Sequence, residues 1–271
     1  MKKINLLISA LLVFTISFTG CAASKSDNKS SGTTTSSDNL LSKIKKDGKI
    51  KFGTEGTYAP FSFHDKDGKI TGFDIEIAEE IAKRIGVKAE FIETKWDGMF
   101  AGLDAKRFDA IANEVGIKPD RQQKYDFSDP YIVSKSVLIV HKDNQDIKKF
   151  EDLKGKKAAQ TLTSNQTVIP KENGAVIVPV EGFNQAIDLV TSKRADAIVN
   201  DNLSFLDLKK QKPDIALKVV AEKDKSGTNG IMFNKGNKEL VDAVNKALAD
   251  MKSDGTYLKI SNKWFNEDVS K

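Results

Sequence analysis

Two nine-residue stretches, Lys106–Glu114 (KRFDAIANE) and Lys193–Asp201 (KRADAIVND), nearly repeat each other 87 residues apart, and each closes on a carboxylate. An acid in such a place can accept an ammonium, move a proton, or simply face solvent. The cations give a second clue. Of 43 lysines and arginines, only Arg84, Arg107, Arg121 and Arg194 carry a guanidinium, the planar fork that grips a carboxylate with two parallel hydrogen bonds. Arg121 stands in GIKPDRQQKYDFSDPY, where Pro119 suits a first helical position and Asp120 and Arg121 fall in the first turn, a place that itself favours an anion. Arg84 ends a helical pattern, and Arg107 and Arg194 precede strands at matching places; structural roles suffice for those three. Other chemistry is sparse. Two distant histidines, His64 and His141, and a single cysteine offer no zinc set. Asp65–Gly68 (DKDG) lacks the remaining acids of a calcium loop and reads as a hairpin turn. There is no nucleophile elbow and no glycine-rich phosphate loop, so neither metal nor cofactor is expected.

The elements that must position these groups alternate in kind. Ile50–Thr54 (IKFGT) reads as a strand, and Phe73–Ile85 as a helix, because Phe73, Ile77, Ile81 and Ile85 recur every four residues. Its acids come early, its bases late, and Gly86 follows as a C-cap. AEFIET is a strand, WDGMFAGLDAK a helix and DAIAN a strand; in the second half KKAAQ, AVIVPV and DAIVN are strands around the helical FNQAIDLVTSK. Two helical stretches close the chain, with Leu240, Val241, Val244, Leu248 and Met251 as an apolar stripe. This order predicts an α/β fold with largely parallel sheets. One echo at 87 residues is no solenoid and points to two similar lobes. Ligands bind outside the carboxyl ends of strands in open α/β sheets, so Glu114 and Asp201 would face each other across a cleft.

The N-terminus has a different character. Lys2 and Lys3 precede an apolar run, Ile4 to Phe18, too short to span a bilayer comfortably and suited to a secretory signal over residues 1–20. It ends in FTGC, similar to a lipoprotein processing site, so Cys21 is expected to carry the lipid (palmitate among its chains) that anchors the chain at the extracytoplasmic face of the cell membrane. An uncleaved signal anchor is the alternative. Residues 21–39 hold almost nothing that can be buried and read as a tether reaching roughly 20–25 Å. The net charge of +5 falls to +3 once Lys2 and Lys3 leave. Interspersed charges offer no nucleic-acid face.

Taken with EGTYAPFSF (Glu55–Phe63), GFDIEIAEEIAKRIG, TKWDGM, DLKGKK and DGTYLKISNKWF, the chain from Leu40 to Lys271 resembles solute-binding proteins of bacterial amino-acid ABC transporters, family 3, with the type II periplasmic-binding fold. TKWDGMFAGLDAKRFDAIANEV followed by YDFS is most similar to the cystine-binding members. The resemblance implies two lobes, residues 40–138 with 230–271 and residues 139–229, joined by crossovers near Ser136–His141 and Gly227–Asn234. It implies a monomer that closes on an amino acid, most of all L-cystine, and docks on a permease. It assigns the ligand's α-carboxylate to Arg121, helped by Ser164 and Asn165, and its α-ammonium to Asp201. Tyr58 and Trp96 would sandwich the ligand's side chain, a setting that suits sulfur.

Three positions depart from the family pattern. Gly116 replaces a serine or threonine, so only its backbone N–H could serve the ligand. Thr163 replaces a glycine. Glu114 is acidic where relatives are neutral, and it or Glu55 could take a second ammonium. The alternatives are a receptor for another amino acid, a lipid-anchored sensor, or an exported dehydratase on the same fold with Glu114 or Glu55 as general acid.

Overall fold

The computed structural model describes residues 39–271, apart from the side chains of residues 224–226. Two five-stranded sheets organise it. In the first, Lys49–Thr54 lies between Lys88–Glu93 and Ala110–Ile111, all parallel, and Met232–Asn234 and Tyr125–Phe127 extend the sheet antiparallel. In the second, Val176–Pro179, Lys157–Gln160 and Ala197–Asp201 are parallel, Ile132–His141 runs antiparallel to Ala197–Asp201, and Leu217–Asn229 pairs antiparallel with Ile132–His141 at the edge. The sheets are therefore mixed where largely parallel ones are expected. The antiparallel pair in each is where the chain crosses between lobes and returns.

The helix at Phe73–Ile85 matches the sequence pattern, with Phe73, Ile77 and Ile81 buried and Gly86 left-handed at φ 89°. It packs with Lys238–Ser253 over the first sheet, burying Leu240, Val244, Leu248 and Met251 with Phe52 and Phe233. In the second lobe the run Val137–Val140 is buried throughout. Val137 and Ile139 face Ile187, Val190 and Phe205, while Leu138 and Val140 face Leu153 and Ile169. Helices covering both faces account for an apolar run without alternation.

The nine-residue repeat has a structural cause. Lys106 and Lys193 both end a helix in the left-handed region, at φ 57° and 58°. Three residues on, Asp109 donates its N–H to the Lys51 carbonyl and accepts the Lys51 N–H at 2.8 Å. Asp196 does the same with Lys157, accepting at 2.7 Å. Each aspartate thus pins the first residues of the neighbouring strand, and each following Ala-Ile pair is buried in its sheet.

The first crossover lies earlier than the expected Ser136–His141, while the second falls within Gly227–Asn234. Residues 136–138 already pair with Asp201, Asn200 and Val199 inside the second sheet, and 139–140 continue that ladder. Ile132–Ser134 pair with Asn229–Gly227 between the sheets, and Phe127 pairs with Met232 in the first. The link is a short two-stranded ribbon, not two isolated strands. Such a ribbon can bend as a hinge.

Candidate functional site

Between the lobes lies a cleft with about 550 Å3 of atom-free space. Its walls stand close together. From the first lobe come Glu55, Tyr58, Trp96, Asn113 and Glu114; from the second come Gln160, Ser164, Asn165, Phe183 and Asn200, among others. Six of the expected residues, Glu55, Tyr58, Trp96, Glu114, Ser164 and Asn165, thus meet at one place. Arg121, Gly116 and Asp201 stand just behind this lining.

Arg121 is the one buried arginine among the described residues, 7% exposed. It lies in the short helix Pro119–Lys124, with proline at its start as the sequence predicts. Its guanidinium donates to the Gly116 carbonyl at 3.0 Å and, across the cleft, to the Thr163 carbonyl at 3.1 Å. It sits 5.7 Å from the Trp96 ring centre and 5.1 Å from that of Phe100. Arg84, by contrast, pairs with Glu80 and Asp254. No acid is ion-paired with Arg121 among the described residues, and burial lowers its pKa to about 10. Gly116 has room for little more: a Cβ there would lie 3.1 Å from the Asn165 amide nitrogen.

Opposite charge gathers at the other end. Asp201 ends its strand, caps the helix Asn202–Gln211 by accepting the Leu203 N–H at 2.8 Å, and is wholly buried. Its other oxygen, Oδ2, has no hydrogen-bond donor. Glu114 lines the cavity at a backbone φ of 49°, an uncommon conformation for a residue with a side chain. Asp74 holds it there, accepting the Glu114 N–H at 2.7 Å and the Tyr131 hydroxyl at 2.8 Å. The Glu114 carboxyl accepts from Asn229 Nδ2 at 3.0 Å and from the Tyr58 hydroxyl at 3.1 Å. Burial, and then the charge of Asp201, push Glu114 well above the carboxylate range. Burial raises Asp74 and Glu55 to about 7 each, and Glu55 accepts from Asn113 Nδ2 at 2.7 Å.

Several lining residues escaped the sequence reading. Asn113 and Asn200 occupy the same place in the two repeats and both line the cavity, so the repeat itself carried that signal. Phe183 meets Tyr58 edge-on at 6.2 Å, but the start of an amphipathic helix gave it no functional mark. Buried nitrogens of Trp96 and Asn200 lack acceptors, leaving the wall able to hydrogen-bond a polar ligand. Thr163 has a role of its own. Its N–H and hydroxyl both donate to Asp97 Oδ1, at 3.0 and 2.7 Å, a latch across the cleft that glycine could make only in part. Lys95 with Glu181, and Asn184 with the Thr57 carbonyl, add further cross-cleft contacts. Among the described residues no group of three or more metal-binding side chains occurs, and no helix is long and apolar enough to cross a membrane. The signal-like run and Cys21 lie outside the described residues.

Two lobes, a hinge ribbon and a polar cleft define a ligand-closing receptor fold of the type II periplasmic-binding class. Residues 50–267 match the family of bacterial extracellular solute-binding proteins, family 3, and the chain belongs to that family. It is 47% identical over 272 residues, covering all of both chains, to the L-cystine-binding protein TcyA of Bacillus subtilis (strain 168). Among solved structures, an ancestral arginine-binding protein bound to glutamine is 41% identical with a TM-score of 0.78, covering 81% of this chain and 99% of its own. The unliganded, open L-cystine solute receptor of Neisseria gonorrhoeae is 46% identical yet overlays at only 0.58, covering 86% of this chain and all of its own. Higher identity with a poorer overlay is what a different angle between similar lobes produces. Together with the cross-cleft contacts, it describes a closed arrangement here. The family and the relatives matched are binding proteins, which favours a receptor over the dehydratase alternative.

Proposed function

We propose that the chain is a lipid-anchored extracytoplasmic receptor that captures an amino acid, L-cystine foremost, and delivers it to an ABC importer. The observation that carries this reading is the division of charge in the cleft. Among the described residues Arg121 is ion-paired with no acid and Glu114 and Asp201 with no cation; Glu114 lines the cavity, and Arg121 and Asp201 stand just behind its wall. A zwitterion fits such a division. Its carboxylate would meet Arg121 with help from Ser164 and Asn165, and its ammonium would meet Asp201.

Cystine carries two of each ion. Because Glu114 stands against Asp201, it would share the first ammonium, and Glu55, held by Asn113, is left for the second. Tyr58, Trp96 and Phe183 supply rings that suit a disulfide. The excess of acids over the single guanidinium also favours a second reading, an amino acid with a cationic side chain. The lipid on Cys21 would hold the receptor near its permease, raising the effective concentration of docking.

Calorimetric titration of the purified chain, stripped of bound ligand, with L-cystine and then with the other amino acids tests both readings. Saturable binding of cystine alone supports the first. Tight binding of arginine or lysine in its place would move the assignment to the second, and no binding to any amino acid would sink both.

A further inference from the structure

The acids beyond Asp201 raise a question of charge. Asp201 is wholly buried and its Oδ2 has no donor, and the Glu114 carboxyl stands beside the Asp201 carboxyl, with the Ser134 hydroxyl 3.4 Å from Glu114 Oε1. Two ionised carboxylates so placed repel each other, and neither can donate. A single proton resolves the conflict: a protonated Glu114 becomes a donor, and the orphaned Asp201 oxygen becomes its acceptor.

The surroundings offer no other neutraliser. Tyr58, Asn200 and Ser204 face the pair with neutral groups, as do Tyr131, Ser134 and Asn229. The nearest further charge is Asp74, itself an acid. Lys135, beside Ser134 in its strand, sends its ammonium to Glu222. Among the described residues no lysine, arginine or histidine is ion-paired with Glu114, Asp201 or Asp74.

We propose that Glu114 and Asp201 hold one proton between them until an ammonium replaces it, so that ligand capture releases a proton. This rests on the assignment of the ligand's ammonium to Asp201. The ammonium needs the Asp201 oxygen that the Glu114 proton occupies, and its positive charge favours the ionised form of Glu114. The O–H bond on Glu114 breaks, N–H···O bonds to both carboxylates form, and the proton passes to buffer. Capture then weakens in acid, by up to about tenfold per pH unit below the point where Glu114 ionises in the empty cleft. An acidic departure at position 114 thereby makes the receptor sensitive to the proton concentration outside the cell.

The test has two arms. In the first, L-cystine and L-arginine are titrated calorimetrically near pH 7 in phosphate and in Tris, whose heats of protonation differ. A heat difference corresponding to release of roughly 0.5–1 proton per ligand more than from Glu114→Gln is expected for the wild type, the remainder with cystine coming from Glu55. Equal heats in the two buffers, or the same release from the variant, would overturn the proposal. In the second arm, infrared spectra of the protein stripped of ligand should show a protonated-carboxyl band that Glu114→Gln removes. Absence of that band overturns the shared proton whatever the ligand is. Asp201→Asn provides a second route should Glu114→Gln fold poorly, because it too removes the acid pair and should abolish the same part of the release. A band that is present while neither probe nor any other amino acid binds would overturn the receptor reading and the release with it, and leave only the proton pair standing.

Discussion

Replacing Arg121 by alanine should separate binding from folding. The guanidinium is 7% exposed, and burial lowers its pKa to about 10. That lowering corresponds to about 3 kcal/mol by which the folded protein disfavours the charge. Opposing it are two hydrogen bonds to carbonyls and contacts with two rings, about 1 kcal/mol each and so about 4 kcal/mol in all. The difference is small, so chemical denaturation of Arg121→Ala should move stability by no more than about 2 kcal/mol. Ligand binding has no such cancellation. A carboxylate desolvated on closure would lose its only guanidinium, at about 2–5 kcal/mol, or some 30-fold to several-thousand-fold in Kd. Arg121→Lys should fall between, because an ammonium keeps the charge and loses the fork. Titration calorimetry and a urea melt on the same preparation read both quantities. Near-wild-type affinity in a folded Arg121→Ala protein would refute the carboxylate assignment; a collapse of stability would show that the guanidinium serves the fold.

Other perturbations probe separate features. Asp74 and Glu55 ionise near pH 7 in the folded protein and near 4 when unfolded, so the folded state binds more protons between those values. The ligand-free protein should therefore gain stability as pH falls from about 8 to 5. Asp74→Asn should flatten that gain and raise stability at pH 8, by at most about 4 kcal/mol, because an amide can still accept from Glu114 and donate to Tyr131; a variant no more stable than wild type at pH 8 would contradict this. Gly72→Ala should destabilise severely, by about 3 kcal/mol or more. Its φ is 135° and a Cβ would stand 2.1 Å from the Phe61 carbonyl oxygen, so a normal melt would count against that backbone. Cys21→Ser should release the chain from membranes on fractionation, and persistent membrane association of the processed variant would reject the lipid anchor.

The fold was legible wherever one residue type had one use. Phe73–Ile85 announced itself through four-residue spacing and a closing glycine, and Pro119 marked the start of its helix. The strand Leu217–Asn229 gave no such signal. Its sequence is polar because it edges its sheet, and polar edges resemble loops in a sequence. Asp74 was misleading for another reason. A first-turn aspartate suits a helix whether it faces water or a buried N–H, and only the approach of Glu114 decides. Within the site, residues that do one chemical thing were visible, as with Arg121. Gln160, Phe183 and Asn200 were not, because they become wall only when the lobes meet.

The repeated nine residues join both kinds of cause. Asp109 and Asp196 must each fit between a turn and the N-terminal half of a neighbouring strand, so their setting tolerates little change and the two copies stay alike. The constraint ends with the strand. Beyond it the chain enters the cleft, where Glu114 turns into a left-handed conformation under the grip of Asp74, and Asp201 instead caps a helix. The two copies therefore present the same functional group by different local geometries, and the two acids stand side by side. Pseudo-symmetric lobes place their acids opposite each other as a by-product of shared architecture. What makes that pairing useful is the lack of a cation beside it, for an isolated acid pair is stable only with a proton or an ammonium between its members.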